Sequence, residues 1–290
     1  MGGSIYYNTI TFSDFVFKNL RIREGTTNVC NNTFAGLKFA GNLTLPDSVT
    51  GIGDSAFENC GFTGNLTIPD SVTYIGDSAF AYCGFTGNLI LPDSVTDIGE
   101  SAFKGCSFNG DLSVGKIAEN HKIGVAMGAE IHTENNVLVR SNIKFNNLII
   151  REGASRIGDN AFKGCNFTGS LSIHENVIYI GESAFGGCGF SGDLTIPCNV
   201  KRIGRSAFAG CEFDGILKFE MSELKYIGDN AFAYCPFIGT LYIPKVEEYI
   251  GRKDCFSHCD KFSKLSILSS MKGVISNWFM GCNFKEIEYR

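Results

Sequence analysis

Residues Gly64–Thr86, with the sequence GNLTIPDSVTYIGDSAFAYCGFT, form one copy of a unit that recurs along nearly the whole chain. The Phe of its Ala-Phe pair returns at intervals of 23 or 24 residues, apart from one gap of 59. The ten positions of this column are Phe34, Phe57, Phe80, Phe103, Phe162, Phe185, Phe208, Phe232, Phe256 and Phe279. A fixed period of this length is typical of stacked supersecondary units. The chain is therefore predicted to be a repeat protein that grows by adding rungs along one axis.

Composition limits the classes of function. The 290 residues carry a net charge of −5 and only 19% charged residues, so no basic footprint for nucleic acid is expected. No run of eighteen apolar residues occurs, which argues against a transmembrane helix. The segment Met1–Tyr6 lacks a basic region followed by an apolar one, so no signal peptide is expected. The chain is then either cytosolic or a mature form whose targeting segment was removed.

A Leu-x-Ile pair opens each unit and predicts a short strand with one buried face. Because the units repeat in the same sense, these strands should stack in parallel about 4.8 Å apart, giving about twelve rungs. The pairs are Leu20/Ile22, Leu43/Leu45, Leu66/Ile68, Leu89/Leu91, Leu112/Val114, Leu148/Ile150, Leu171/Ile173, Leu194/Ile196, Leu217/Phe219, Leu241/Ile243, Leu265/Ile267 and Ile287/Tyr289.

The rest of the unit predicts the return path of the coil. Val72–Gly76 indicates a second short extended segment on the opposite side. Asp77 precedes Ser-Ala-Phe, and Asp is a good N-cap, so we expect a single helical or 3₁₀ turn that presents Phe80 inward. The Gly-Phe-Thr-Gly element then permits a tight return to the next Leu-x-Ile strand.

Phenylalanine and cysteine fill the predicted core in columns. A second Phe column lies just past the Cys position, at Phe39, Phe62, Phe85, Phe108, Phe167, Phe190, Phe213, Phe237, Phe262 and Phe284. The Cys column contains Cys60, Cys83, Cys106, Cys165, Cys188, Cys211, Cys235, Cys259 and Cys282. Equivalent thiols on every rung have no unique partners, and Cys often acts as a small buried hydrophobe. These cysteines are predicted to be buried free thiols.

A larger duplication divides the chain. Residues Asn8–Gly25 match Asn136–Gly153 at an offset of 128, and each match is followed by units in register. The predicted organisation is one solenoid over residues 1–290, with a first repeat block at 1–114, a degenerate junction at 115–135 and a second block at 136–290. Within the junction, Ile123–Met127 resembles a degenerate copy of Ile-Gly-x-Ala-Phe, with Met127 in the Phe position. The junction is expected to continue the solenoid with a bulge, because it lacks the composition of a linker.

The consensus Leu-x-Ile-Pro-x-Ser-Val-Thr-x-Ile-Gly-x-x-Ala-Phe-x-x-Cys resembles the repeat of the BspA-like (Treponema pallidum type) leucine-rich repeat family. The resemblance runs from about Leu20 to Cys282. It implies a leucine-rich repeat solenoid: a curved right-handed coil with a parallel β-sheet on its concave face and short strands or helical turns on its convex side. It also implies a surface or secreted protein of bacteria, or of some mucosal protozoa, associated with adhesion and host contact. The added Gly-Phe-Thr-Gly element and the junction depart from the family repeat, so the resemblance does not assign the binding face.

Catalytic and metal sites are weakly represented. Cys255–Cys259, with the sequence CFSHC, looks like a fragment of a zinc site, but four ligands at motif spacing are absent and both cysteines fit repeat positions. The nucleophile-elbow, zincin and phosphate-loop patterns are missing. Acidic residues recur before the Ala-Phe pairs, as capping residues would, at Asp54, Asp77, Glu100, Asp159, Glu182 and Asp229. We therefore expect no catalytic residues, no metal and no cofactor.

Candidate binding residues are the departures from regularity on the outward side of the Leu-x-Ile strands. Most outward positions are Asn, Thr, Ser or Pro, which the repeat itself explains. The deviant positions are Arg21, Arg23, Ile149, Arg151, His174, Lys218 and Tyr242. Solenoids bind partners on extended concave surfaces, so these residues are predicted to contact a protein or glycan on the concave face.

The functional prediction is a non-enzymatic adhesion or recognition module, extracellular or at a bacterial cell surface, whose partner is a protein or glycan such as a host extracellular or mucosal component. A structural scaffold that joins other proteins and has no host ligand is the alternative, and an enzyme domain is a further rival. A targeting segment upstream would favour the surface module, and an intracellular start at Met1 would favour the scaffold.

Overall fold

The chain coils into a solenoid whose turns are joined by parallel pairs of short strands. This computed structural model describes residues 15–119, 123–132, 137–220, 224–246, 253–271, 273 and 277–290. Met1–Tyr6 and the start of the Asn8–Gly25 match lie outside these residues. The coil has about 11 turns and little helix. The predicted leucine-rich repeat solenoid is confirmed.

Three ladders of strands run along the coil, one on each side of a rung. The first ladder contains Leu20–Arg21, Leu43–Thr44, Leu89–Ile90, Leu112–Val114, Leu148–Ile150, Leu171–Ile173, Leu194–Ile196, Leu217–Phe219, Gly239–Tyr242, Phe262–Ile267 and Glu286–Tyr289. The second ladder contains Asn28–Val29, Gly51–Ile52, Tyr74–Ile75, Asp97–Ile98, Arg156–Ile157, Tyr179–Ile180, Arg202–Ile203 and Tyr226–Ile227. The third ladder contains Thr63–Gly64, Gly84–Phe85, Lys144–Phe145 and Asn166–Phe167. The Gly-Phe-Thr-Gly element, expected only as a return, therefore pairs between rungs as well.

The Ser-Ala-Phe segment forms an arc of turns between the second and third ladders. Its amides alternate in partner: Ala79 N–H donates within its own rung to Gly76, while Phe80 N–H donates to Ala102 in the next rung. Ser78 adopts a φ of 53°, so the arc is not a helical turn of ordinary φ. The sequence predicted that Asp77 caps this arc, and that prediction is wrong. Its Oδ1 instead accepts a hydrogen bond from the amide of Glu100, one rung further on, at 2.8 Å.

Stacked phenylalanines form the core along the coil axis. The rings of Phe57 and Phe80 lie parallel with centroids 5.3 Å apart, and those of Phe80 and Phe103 follow at 5.5 Å. The second Phe column packs edge-on against the first, as in the Phe80–Phe85 pair at 6.0 Å. Most of these rings have no solvent exposure at all. Burial of both columns confirms that they are core.

The junction between the two repeat blocks carries its own short elements. These are a 3₁₀ helix at Lys116–Glu119, a one-turn α-helix at Ile123–Ala126 and an antiparallel pair at Glu130–His132 and Val137–Val139; a second 3₁₀ helix, Ser269–Met271, lies near the C-terminus. The strands on either side pair directly, Leu112 with Leu148 and Val114 with Ile150. Met127 is fully buried. Its segment lies between the rungs of Phe103 and Phe162, because Phe103 N–H donates to the Ala126 carbonyl and Gly124 N–H donates to that of Ala161.

The duplication at an offset of 128 is repeated in the backbone pairing. Phe17 forms an isolated bridge to Phe39, and Phe145 pairs with Phe167 in the same way. Leu20 pairs with Leu43, as Leu148 does with Leu171. Phe145, which the sequence columns omit, bridges Phe108 and Phe167 at centroid distances of 6.1 and 5.9 Å. The second Phe column thus crosses the junction without interruption, whereas the first is interrupted at Met127.

Candidate functional site

The outward face of the first ladder presents two kinds of side chain. Asn and Asp at the strand entrance of several rungs contribute to the fold, because their side-chain oxygens accept a hydrogen bond from the next rung. Asn88 Oδ1 accepts from the amide of Asp111 at 2.8 Å, and Asn147 Oδ1 accepts from that of Ser170 at the same distance. These regular positions hold adjacent rungs together. The predicted site residues are the departures from this regularity.

The seven predicted site residues do not form one cluster. Arg21 and Arg23 are exposed on the first described rung, and they line a depression of about 330 Å³ with Cys30 and Phe34. Ile149 lies five rungs further along, which corresponds to about 24 Å at strand spacing. The other candidates follow it in the second block. A compact ligand could therefore contact one group or the other.

Arg151 is engaged within the fold. Its Nη2 donates to the carbonyl oxygen of Leu91 at 2.6 Å and lies 3.2 Å from Asp93 Oδ1. Gly115 and Gly153 flank this contact and leave room for it, since a Cβ at either glycine would lie within 3.0 Å of the Asp93 carboxylate. Arg151 thus crosses the intervening rung and ties the second block to the first.

His174 lines a depression of about 520 Å³ on the first ladder. Glu175, Asp193, Thr195 and Glu220 share the lining, so acidic groups converge where most rungs carry Asn, Thr and Pro. His174 Nδ1 accepts from the amide of Asn176 at 3.2 Å, which fixes the orientation of its ring. The result is a polar, acidic depression.

Lys218 and Tyr242 extend this surface. Lys218 is the register partner of Thr195, so it stands beside the acidic depression in the next rung. Tyr242 is 52% exposed, and the guanidinium of Arg290 lies 5.5 Å from its ring centroid. Ile149 is 36% exposed and is the register partner of Ser172, which also lines the depression. Four of the seven predicted residues therefore surround or line one surface, which we call the His174 face: Ile149, His174, Lys218 and Tyr242.

A second depression of about 450 Å³ lies on the first block. It is lined by Asn65, Thr67, Asp70, Asn88 and Pro92, together with Ile90, whose side chain is 54% exposed. Sequence reasoning passed over Ile90 because the neighbouring outward residues follow the repeat. This hollow lacks the concentration of charged residues seen at His174.

The cysteine column is buried and its thiols are protonated. All twelve cysteines are free, and eight of the nine in the column are buried, as predicted. Burial raises the pKa of Cys60 to about 11 and that of Cys106 to about 12. Cys255 and Cys259 are both fully buried, and no group of His, Cys, Asp and Glu within the described ranges is arranged to hold a metal ion. The zinc-like spacing at 255–259 is explained by core packing.

Sequence reasoning missed a column on the second ladder. Arg156, Tyr179, Arg202 and Tyr226 are successive register partners, with Arg156 Cζ 5.0 Å from the Tyr179 ring centroid and Arg202 Cζ 4.3 Å from that of Tyr226. Tyr179 donates from its hydroxyl to Asp159 Oδ1 at 3.3 Å. Partial burial, and then the Asp159 charge, raise the pKa of Tyr179. Comparing the x positions of Val-Thr-x-Ile-Gly down the chain would have revealed this column.

Among the residues that the structure describes, none forms a helix long and apolar enough to cross a membrane.

Comparison with known proteins identifies the repeat. A family model described as the BspA type leucine rich repeat region (6 copies) matches residues 5–119, 139–253 and 225–290. None of the curated proteins is similar enough to count as a match. The family match covers most of the chain and agrees with the repeat columns.

Solved structures of three bacterial proteins are similar over most of the chain. A leucine-rich cell-surface protein from Faecalibacterium prausnitzii is 20% identical, covers 94% of this chain and 73% of its own, and has a TM-score of 0.33. A leucine-rich repeat protein from Bacteroides ovatus is 15% identical, with coverages of 93% and 84% and a TM-score of 0.34. The pneumococcal vaccine antigen PcpA is 16% identical, with coverages of 94% and 79% and a TM-score of 0.39.

Proposed function

This chain belongs to the BspA-type leucine-rich repeat family, and we propose that it is a non-enzymatic binding module, secreted or held at a bacterial cell surface. Its partner is a protein or a glycan, for example a host extracellular or mucosal component, and the contact is adhesive. The location and the adhesive role rest on the family. The binding surface rests on the residues of this chain. We also propose that residues 1–290 act as one unit, because the strands on either side of the junction pair directly.

The observation that carries the proposal is that the His174 face concentrates residues that depart from the repeat. The regular rungs present small uncharged side chains there, which the repeat alone explains. Between Ser172 and Glu220 the same surface gains an imidazole and several carboxylates around a depression of about 520 Å³. Lys218 and the exposed ring of Tyr242 lie on the following rungs. A mixture of acidic groups, one amine and one aromatic ring suits hydroxyl-rich glycans and polar protein surfaces.

The hydrogen bonds of these groups favour recognition over catalysis. Asp193 Oδ1 accepts from the amide of Ile216 at 2.7 Å, and Glu220 Oε2 accepts from that of Cys198 at 3.3 Å. His174 Nδ1 is likewise used by the amide of Asn176. A general acid or base needs to reach a substrate proton, whereas each of these groups already accepts a hydrogen bond from a backbone amide. Such fixed groups give specificity at little entropic cost on binding.

The test is a binding screen of the chain against immobilised mucin, fibronectin, laminin, collagen and a panel of neutral and acidic glycans. Each partner that binds saturably is then measured with a His174→Ala/Lys218→Ala/Tyr242→Ala variant. We expect a loss of affinity of at least ten-fold, since residues at the centre of an interface carry most of its energy. A Thr44→Ala/Thr67→Ala variant, altered at regular positions on the same ladder, is the matched control and should bind within two-fold of the parent chain.

Equal losses in both variants would place the contact elsewhere on the first ladder and contradict the assignment to the His174 face. Absence of binding across the panel would contradict an adhesive role. In that case, capture of another bacterial protein by the same face would favour the structural scaffold.

A further inference from the structure

The arc of turns between the second and third ladders carries a pair of stacked, exposed rings. Tyr234 and His258 stand two residues after the first Phe column on consecutive rungs, and their ring centroids lie 4.7 Å apart with 11° between the ring planes. Tyr234 is 63% exposed, and His258 is exposed as well. Met280, whose carbonyl accepts the His258 amide from the rung before, is 58% exposed. We call the two rings the Tyr234–His258 stack.

The backbone at this position is unfavourable for Tyr and His. All ten residues that stand two positions after the first Phe column have a positive φ, which is 61° at Tyr234 and 58° at His258. Glycine adopts such a φ without strain, and it fills six of the ten positions: Gly36, Gly105, Gly164, Gly187, Gly210 and Gly281. A bulky L-residue is strained there. The rings therefore stand where the fold favours glycine, so folding does not account for them.

Glycines at both ends of the stack leave its rings accessible. A Cβ at Gly210, one rung before Tyr234, would meet no atom within 4 Å. Because His258 covers one face of the Tyr234 ring, the other face borders this open space. At the opposite end the His258 ring extends over Gly281, where a Cβ would lie 2.8 Å from Nδ1. The stack thus presents an aromatic face to solvent as well as ring edges.

We propose that the Tyr234–His258 stack binds a neutral glycan by packing a pyranose ring against the open face of Tyr234. A pyranose with equatorial hydroxyl groups has faces made of C–H groups, which pack on the electron-rich face of an aromatic ring. Its hydroxyl groups lie at the rim, where polar side chains fix the orientation of such a ligand. Polar groups at the stack are the Tyr234 hydroxyl, the His258 imidazole and the exposed carboxylate of Asp260. This site lies on a different side of the coil from the His174 face.

Charge and ring spacing make other ligands less suitable. The charged residues within five positions of either ring are nearly balanced: Asp229, Lys253, Asp254, Asp260 and Lys261. A nucleobase could stack on the same face, but single-stranded nucleic acid also needs a basic groove for its phosphates. A proline-rich peptide docks in a groove lined by aromatic side chains, and two rings 4.7 Å apart leave no groove between them.

The experiment uses the full chain and cellohexaose, a neutral β-1,4-linked hexasaccharide whose hydroxyl groups are all equatorial. Affinity is measured by calorimetry, and contact at the stack by the ring C–H resonance of His258, assigned among the four histidines with a His258→Gln variant. We expect saturable binding that shifts this resonance. A Tyr234→Gly/His258→Gly variant should bind at least ten-fold more weakly, with a urea midpoint no lower than that of the parent chain. A Tyr234→Phe/His258→Phe variant, which keeps the stack and loses its polar groups, should be intermediate.

The matched control is Tyr82→Gly. Tyr82 is 53% exposed at a φ of 57°, but its neighbours in the column are Asn59 and Gly105, so it has no stacked ring beside it. This variant should bind like the parent chain, and equal weakening would show a general effect of exposed tyrosine and overturn the proposal.

Three further results would overturn the proposal. The first is failure of the parent chain to bind cellohexaose, laminarihexaose and N-acetylchitohexaose alike. The second is a lower urea midpoint of the Tyr234→Gly/His258→Gly variant, since the stack would then serve the fold. The third is tighter binding to a proline decapeptide or to a thymidine decanucleotide than to any of the three sugars. None of these results depends on the His174 face, so the two proposals stand or fall separately.

Discussion

The thiol of Cys83 donates a hydrogen bond to the main-chain carbonyl of Phe57, with 3.1 Å between Sγ and O. The Phe lies one rung back, and the same contact recurs at Cys106–Phe80, Cys188–Phe162, Cys211–Phe185, Cys235–Phe208 and Cys259–Phe232, each at 3.1 Å. Cys therefore does two things in this position. It fills a small apolar site, and it links consecutive rungs through a weak donor.

Replacing Cys83 by Ala should lower the free energy of unfolding by about 1–2 kcal/mol, because a buried hydrogen bond and the volume of a sulfur atom are lost together. Urea unfolding followed by circular dichroism measures the change. Cys30 is exposed, so Cys30→Ser is the control and should stay within about 0.5 kcal/mol of the parent chain. A Cys83→Ala variant as stable as the control would show that the thiol contact contributes nothing.

The chain should lose stability steeply at alkaline pH. Burial raises the pKa of Cys60 to about 11 and those of Cys106, Cys165 and Cys259 to about 12. An unfolded thiol ionises near pH 8.5. The folded chain therefore keeps protons that the unfolded chain releases. The contribution of these protonated thiols to the free energy of unfolding is fully present below about pH 8. It is lost as the pH rises from about 9 towards the pKa values of the folded chain. Each such thiol contributes a slope of about 1.4 kcal/mol per pH unit in that window.

Thermal unfolding between pH 7 and 11 measures this slope, and a Cys83→Ala/Cys106→Ala variant isolates the thiols from tyrosine and lysine. Both side chains are buried and both pKa values are raised by burial. The variant should be less stable at pH 7 but should show a shallower fall above pH 9. Parallel curves for the two proteins would exclude the thiols as the cause.

The Phe stacks predict that a Phe→Ala substitution destabilises the chain more in the middle of the coil than near the first described rung. Phe80 is fully buried and stacks on both Phe57 and Phe103. Phe34 is half-buried and has one stacked ring, Phe57 at 5.4 Å. Phe80→Ala should therefore reduce the free energy of unfolding by about 3–5 kcal/mol, and Phe34→Ala by clearly less. Denaturant titration of the two variants tests this. Equal losses would mean that the centre and the end of the coil are packed alike.

Much of this fold was predictable because its interactions repeat at a fixed separation. The Leu-x-Ile strands, both Phe columns and the buried thiols each follow from one residue type returning every 23 or 24 positions. Phe145 was missed because the junction places it 37 residues after Phe108 and breaks that rule. Its match to Phe17 at the larger offset was the signal that could have found it.

The role of the acidic column was not predictable from local sequence. An Asp before Ser-Ala-Phe has the spacing of an N-cap, and nothing nearby distinguishes that role from the observed one. The amide that binds Asp54 Oδ1 belongs to Asp77, 23 residues away. Likewise, His174 and Lys218 were recognisable as departures from the repeat. Their grouping with Glu220 depends on rung stacking that brings distant residues together.

Gly99 should not tolerate even a methyl group. A Cβ at this position would lie 2.3 Å from the backbone nitrogen of Asp77 in the adjacent rung, and backbone cannot move aside as a side chain does. Gly99→Ala should therefore cost at least about 1–3 kcal/mol, the usual range for overpacking. Gly186 is the control. Its nearest neighbour would be 3.4 Å away, and Ala209 fills the equivalent position one rung on. Gly186→Ala should be neutral or stabilising by about 0.4–1 kcal/mol.

Arg151 should contribute to stability through its contact with the first block, even though it is also a predicted site residue. Its guanidinium donates to the Leu91 carbonyl at 2.6 Å and pairs with Asp93 at 3.2 Å, so it joins strands two rungs apart. The two charged side chains are 33% and 47% exposed, and exposed ion pairs contribute only about 0.2–1 kcal/mol. The bond to the buried carbonyl adds about 1.5–3 kcal/mol, because its donor is charged.

A double-mutant cycle separates the two contributions. Asp93→Asn should cost less than 1 kcal/mol, since it removes the ion pair alone. Arg151→Met should cost about 2–3 kcal/mol, since it also removes the bond to Leu91, and the coupling between the two sites should be no more than about 1 kcal/mol. Denaturant unfolding gives all four stabilities. If Arg151→Met left stability unchanged, the tie between the blocks would be absent. Arg151 would then be as available to a ligand as His174 and Lys218.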